Sequence, residues 1–142
     1  AADVWSVTSY GQLRREAIAC DRANQIHAGD ERGNGLRRPI ICQRLEHAVG
    51  PVIATSDYSR SLPDSLSPWI EDLTSLGTDG FGRSDTRKAL RRFFEVDAEH
   101  IAVATLHRLA MRNELDRSQV RRAIDELGLA EQTAYALNDL VF

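Results

Sequence analysis

One short run gathers the residues whose types and spacing could do chemistry: Gly77-Thr78-Asp79-Gly80-Phe81-Gly82-Arg83-Ser84-Asp85. Glycines at 77, 80 and 82 let the backbone take positive φ or admit a close neighbour. Amide groups of such a loop, ahead of a helix, can cradle a phosphate. The run lacks Gly-x-Gly-x-x-Gly spacing and any Gly-Lys-Ser/Thr ending, so a tight turn at a domain interface is the stronger reading and a nucleotide cradle the weaker one. Asp79 and Arg83 read as an ion pair or turn caps rather than catalysts, and Phe81 is a large apolar group with no periodic partner. Asp85 closes the run as a helix cap, with Ser84 the other candidate.

Outside the loop the candidate groups are sparse. His100 and His107 share a helix face, but two turns separate them by about 10 Å, too far to bind one ion. Arg87, Lys88, Arg91 and Arg92 form a basic ridge, and Arg121 with Arg122 a second. A ridge of this kind is a solvated face or a dock for an acidic partner. Cys20 and Cys42 fit no metal-ligand spacing and no disulfide framework, which points to reduced thiols. No Ser/His/Asp or Cys/His arrangement emerges, since Ser9, Ser56 and Ser84 are accounted for by caps and strand ends.

The elements that must position these groups follow from periodicity. A β-branched run at 3–8 predicts a strand, and Ser9 with Gln12 opens a helix at Tyr10 that fades near His27. Glycines at 29, 33 and 35 mark residues 28–38 as a surface loop, and Pro39 starts a helix over 40–48. Residues 52–57 and 72–76 read as buried strands. Between them a helical stretch over 58–70 is broken by Pro63, with Trp69 and Ile70 facing inward. After the loop everything reads as helix. Thr86, Leu90, Phe93 and Phe94 share one face; Asp97 caps a largely buried helix over 98–111 with Val96 and Ile101 as staple. Asn113 ends that helix in the left-handed region. Asp116 with Gln119 caps the next one, whose stripe is Val120, Ile124 and Leu127 and whose stop is Gly128. A helical spacing recurs at Ala134, Leu137 and Val141.

This order gives an α/β domain of three layers with a mostly parallel sheet and a helix-rich C-terminal half. It divides into a strand-helix-strand part over 1–76, the glycine loop and helices over 77–128, and a tail over 129–142. Three strands are too few for a self-sufficient, doubly covered parallel sheet, so the layout reads as part of a larger sheet that lacks its first strand-helix unit. A net charge of −3 argues against a general nucleic-acid or anionic-membrane binder. No apolar run approaches the ~20 residues of a membrane span, and no signal peptide is visible, giving a cytoplasmic expectation.

The stretch Leu76-Gly77-Thr78-Asp79-Gly80-Phe81-Gly82-Arg83-Ser84-Asp85-Thr86-Arg87, continued by Leu90-Arg91-Arg92-Phe93-Phe94-Glu95-Val96-Asp97-Ala98-Glu99-His100-Ile101, closely resembles the C-terminal domain of the homodimeric bacterial pyruvate dehydrogenase decarboxylating component. Asp3-Val4-Trp5-Ser6-Val7-Thr8-Ser9 and Gly50-Pro51-Val52-Ile53-Ala54-Thr55-Ser56-Asp57-Tyr58 resemble the same family in the same order. The Asp79-Gly80-Phe81-Gly82 loop is also similar to one in the transketolase C-terminal domain. The resemblance implies an enzyme that uses thiamine diphosphate and Mg²⁺ to decarboxylate pyruvate and acetylate lipoyl groups of an acetyltransferase component. It implies that cofactor and metal are held by other domains, because Thr78-Asp79-Gly80 is not followed by the paired asparagines of a thiamine diphosphate motif. This domain then supplies architecture and dimer contacts and no catalytic, cofactor or metal residue, with Asp79, Phe81, Arg83, Asp85, Arg91 and Arg92 as candidates for an interface or site edge. The alternative is a non-catalytic interaction module of a related 2-oxo acid dehydrogenase assembly.

Overall fold

The computed structural model describes residues 2–28 and 36–130. Helix α1 (Tyr10–Ile26) is followed by a short α2 (Ile40–Arg44), strand β1 (Val52–Thr55), one turn of helix α3 (Ser61–Asp64) and strand β2 (Leu73–Leu76). Helices α4 (Arg87–Phe93), α5 (Ala98–Met111) and α6 (Arg117–Glu126) complete the described order.

The two strands run parallel, in register from Val52 opposite Leu73 to Thr55 opposite Leu76. The ladder extends one bond beyond each end, from the Val52 amide to the Asp72 carbonyl and from the Ser56 amide to the Leu76 carbonyl. Parallel strands need a crossover between them, and the segment containing α3 supplies it. Pro63 stands in the first turn of α3, where its missing N–H costs no helical bond, and its ring is fully buried. Beside it Leu66 and Ile70 are buried, and from α1 so are Ala17 and Cys20. Helix α1 packs on α2 and α3, while α5 lies against β1 and α6. Phe94, Ala110 and Val120 are the buried apolar groups of the helical half.

Several boundaries follow the sequence closely. The Ser9 hydroxyl accepts from the Gln12 amide and His27 ends α1. Asp97 caps α5 through the His100 amide, and the bounds of α5 are those expected. Helices α4, α5 and α6 all end in the same way. A residue in the left-handed region follows the helix: Glu95 (φ 57°), Asn113 (φ 59°) and Gly128 (φ 65°). The next amide then returns to the carbonyl five residues back, Val96 to Arg91, Glu114 to Leu109 and Leu129 to Ile124. These are Schellman closures, which satisfy carbonyls otherwise left open at a helix end.

Other expectations are corrected. Residues 3–8 form no strand, because among the described residues nothing pairs with them; β propensity cannot supply a ladder. Val4 and Trp5 consequently stand exposed at 95% and 55%. The strands expected to be buried are half-buried and shorter than expected. Helix α2 stops at Arg44, well before residue 48. Helix α5 is mostly half-buried rather than enclosed, with Ala110 its buried residue and Met111 exposed. The cap of α4 is Thr86, whose hydroxyl accepts from the Ala89 amide, while Asp85 accepts from the amide of Thr86 itself. Asp116 caps α6 through the Ser118 amide rather than through Gln119. Most of the expected loop over 28–38 and the helical spacing at Ala134, Leu137 and Val141 lie outside the described residues.

Candidate functional site

The carboxyl ends of β1 and β2 lie side by side, so the segments leaving them, Ser56–Arg60 and Gly77–Asp85, meet at one edge of the sheet. Gly77 is packed so tightly there that a Cβ would lie 2.6 Å from the Tyr58 carbonyl oxygen and 2.8 Å from the Arg60 nitrogen. The next residue bonds both ways across the gap: the Thr78 amide donates to the Tyr58 carbonyl and its hydroxyl to the Asp57 carbonyl, each at 2.9 Å. Asp79 then uses both carboxylate oxygens. Oδ1 accepts from the Ser59 hydroxyl at 3.1 Å and the Arg60 amide at 3.0 Å, and Oδ2 from Arg60 Nε at 2.6 Å. Burial raises the Asp79 pKa, but the bonds from Arg60 and Ser59 outweigh it and hold the carboxyl below its ordinary value.

Beyond this anchor the chain turns out into solvent. Gly80 takes φ +84°, a conformation that strains any residue with a Cβ, whereas Gly82 has open space around it. Phe81 between them is 90% exposed. Arg83 brings the chain back, its guanidinium carbon 4.4 Å from the centroid of the Phe93 ring, in cation–π geometry. Phe93 in turn meets Phe94 edge to face, with centroids 5.0 Å apart.

The six candidate residues therefore divide. Asp79, Phe81, Arg83 and Asp85 share the loop, but the partner of Asp79 is Arg60 and not Arg83, because the left-handed turn at Gly80 carries the chain away from the strand ends. Arg91 stays exposed on α4, while Arg92 turns inward. Its guanidinium donates to Asp97 at 3.2 Å and to the carbonyls of Leu127 and Gly128 at 3.3 and 3.0 Å, tying α4 to the end of α6. The basic ridge is thus Arg87, Lys88 and Arg91 without Arg92. Ser59 and Arg60 were not among the candidates; a bond spanning nineteen or twenty residues leaves no trace in local spacing.

The remaining candidates are structural. His100 Nδ1 meets Asp97 at 2.5 Å, making it part of the α5 cap, and His107 is exposed. The Cys20 thiol donates to Glu16, which with burial raises its pKa, and burial raises that of Cys42. Neither is primed as a nucleophile. Among the described residues no group of three or more His, Cys, Asp or Glu is placed to hold a metal ion, and no helix is long and apolar enough to cross a membrane.

Residues 1–97 match the model of the transketolase-like TK C-terminal domain. The chain belongs to that family. Within it, this transketolase-like C-terminal domain is similar to the pyruvate dehydrogenase E1 components of three bacteria. It is 43% identical to that of Mycolicibacterium smegmatis over 94% of the chain and 14% of the relative. The identity is 48% with that of Mycobacterium tuberculosis, over 83% of the chain and 12% of the relative. With that of Escherichia coli K12 it is 39%, over 90% of the chain and 14% of the relative. The domain thus spans about a seventh of the length of the curated relatives it matches. The glycine loop and β1–β2 edge lie within the matched family region, which ends at the α5 cap residue Asp97.

Proposed function

We propose that this chain is the C-terminal part of a pyruvate dehydrogenase E1 component, an enzyme that decarboxylates pyruvate and reductively acetylates lipoyl groups. The observation that carries this reading is similarity at 37–48% identity across 83–96% of the chain to relatives that bear that name. The share of this domain is architecture and contacts, within a homodimer in the cytoplasm. The acid at the centre of Thr78-Asp79-Gly80 does not fit a Mg²⁺ ligand, because both its oxygens are engaged by Ser59 and Arg60. In this proposal cofactor and metal are held by parts of the enzyme outside the 142 residues.

The exposed ridge of Arg87, Lys88 and Arg91 supports a finer reading, a surface complementary to an acidic lipoyl-bearing acetyltransferase component. Carbon dioxide release from labelled pyruvate by the full-length enzyme, with thiamine diphosphate and Mg²⁺ added, tests the first reading. Release that requires pyruvate and thiamine diphosphate is the expected result, and none at any concentration of either would sink it. For the second, Arg91→Glu should slow lipoyl acetylation without changing pyruvate decarboxylation; equal rates in both assays would remove the ridge from the docking surface.

A further inference from the structure

The loop at the sheet edge is fixed at both ends and bare in the middle. Gly77, Thr78 and Asp79 are held against the segment after β1 by close packing and by hydrogen bonds to Asp57, Tyr58, Ser59 and Arg60. Arg83 is held on the far side by the Phe93 ring. Only three residues lie between these anchors, and the middle one puts a phenyl ring into water at 90% exposure. The glycines beside it carry no side chain that would keep a second surface from closing around the ring, and Gly82 has open space. An aromatic side chain projected from a pre-ordered loop loses little freedom on burial, and this is the character of an interface hot spot. Tyr58, 66% exposed, lies on the segment after β1 whose backbone holds Gly77 and Thr78.

We propose that Phe81 is an anchoring ring that enters an apolar socket on the remainder of the same polypeptide, with the Asp79–Arg60 contact serving to hold its loop in the docked shape. This rests on the reading of the chain as part of an E1 component. The occupant follows from length: six-sevenths of a relative lies outside the matched portion, and that surface is covalently tied to this loop. A tethered surface also acts at high effective concentration, which a separate partner lacks.

The test uses the full-length enzyme and three variants: Phe81→Ala, Phe81→Leu and Asp79→Asn. The readout is the rate at which a protease releases the C-terminal domain under native conditions, with the dimer dissociation constant and lipoyl acetylation measured in parallel. Phe81→Ala should raise the release rate about tenfold or more, the loss typical of an aromatic hot spot. Phe81→Leu, which keeps apolar bulk, should stay near wild type, and Asp79→Asn should shift in the direction of the alanine variant. The ring is solvated within this chain, so its removal does not threaten the domain's own fold. An unchanged release rate with a weakened dimer would assign the ring to the second copy and overturn the proposal. So would an unchanged release rate with slowed lipoyl acetylation, which assigns it to the acetyltransferase component, or no change in any of the three. Wild-type enzyme without pyruvate decarboxylation would defeat the E1 reading alone, because the release comparison does not depend on activity.

Discussion

A glycine can be required for room or for rotation, and the loop after β2 contains one of each. Gly77→Ala forces a methyl onto the backbone of Tyr58 and Arg60, where no flexible side chain can yield, and should cost about 1–3 kcal/mol in denaturant unfolding. Gly82→Ala, with nothing near it, should stay within about 0.5 kcal/mol. Asp79 sets a pH dependence with a definite sign. Its folded pKa lies below the ordinary 3.8, so its contribution is present above that value and is lost as pH falls through the folded one. Melting temperature should therefore drop on acidification below about pH 4, a limb shared with Asp97, Asp116 and Glu46, whose carboxyls are also held low, and Asp79→Asn should flatten part of it; parallel curves would remove Asp79 as a source. The site was legible to this extent: glycine, acid and aromatic types at positions 77–82 mark an unusual turn from the sequence alone. Arg60 was not legible, because pairing with Asp79 depends on two parallel strands ending side by side, a fact about the sheet rather than about either segment.

At the scale of elements, capping chemistry is legible at Ser9, Asp97, Asn113 and Gly128, where one residue decides it. It is not legible where neighbours compete: Ser84, Asp85 and Thr86 can each cap a helix, and Thr86, in extended conformation, is the one whose hydroxyl accepts from the Ala89 amide. The stop of α4 was also unreadable, because Glu95 carries none of the marks of a left-handed residue. Glu95→Gly removes the Cβ strain at φ 57° and gives back part of the gain through a more flexible unfolded chain. A net stabilisation of about 0.5–1 kcal/mol is expected, read as a rise in urea midpoint with unchanged slope. A fall in midpoint would mean that Glu95 makes a contact worth more than its strain. Strand 3–8 was the larger miss, since a strand needs a neighbour as well as a sequence, and residues 3–8 have none among the described residues.

For the molecule as a whole, two parallel strands of four residues make a small sheet with both outer edges lacking strand neighbours among the described residues. Val4, Trp5, Val49, Tyr58 and Phe81 are all more than half exposed. Open edges and scattered apolar groups favour association, so the 142-residue chain by itself should sediment as a concentration-dependent mixture of species. A single monomeric boundary at all concentrations would show that these surfaces tolerate water. The chain carries two tryptophans in contrasting places. Trp5 lies on the exposed N-terminal run, while the half-buried Trp69 donates its indole N–H to Asp21 of α1 at 2.9 Å. Iodide should therefore extinguish one emission component early and leave a shielded one, which should become more accessible when α1 lifts from the crossover. Fluorescence of Trp69 thus offers an internal gauge of that single junction, readable without a label and separable from events at the Phe81 loop.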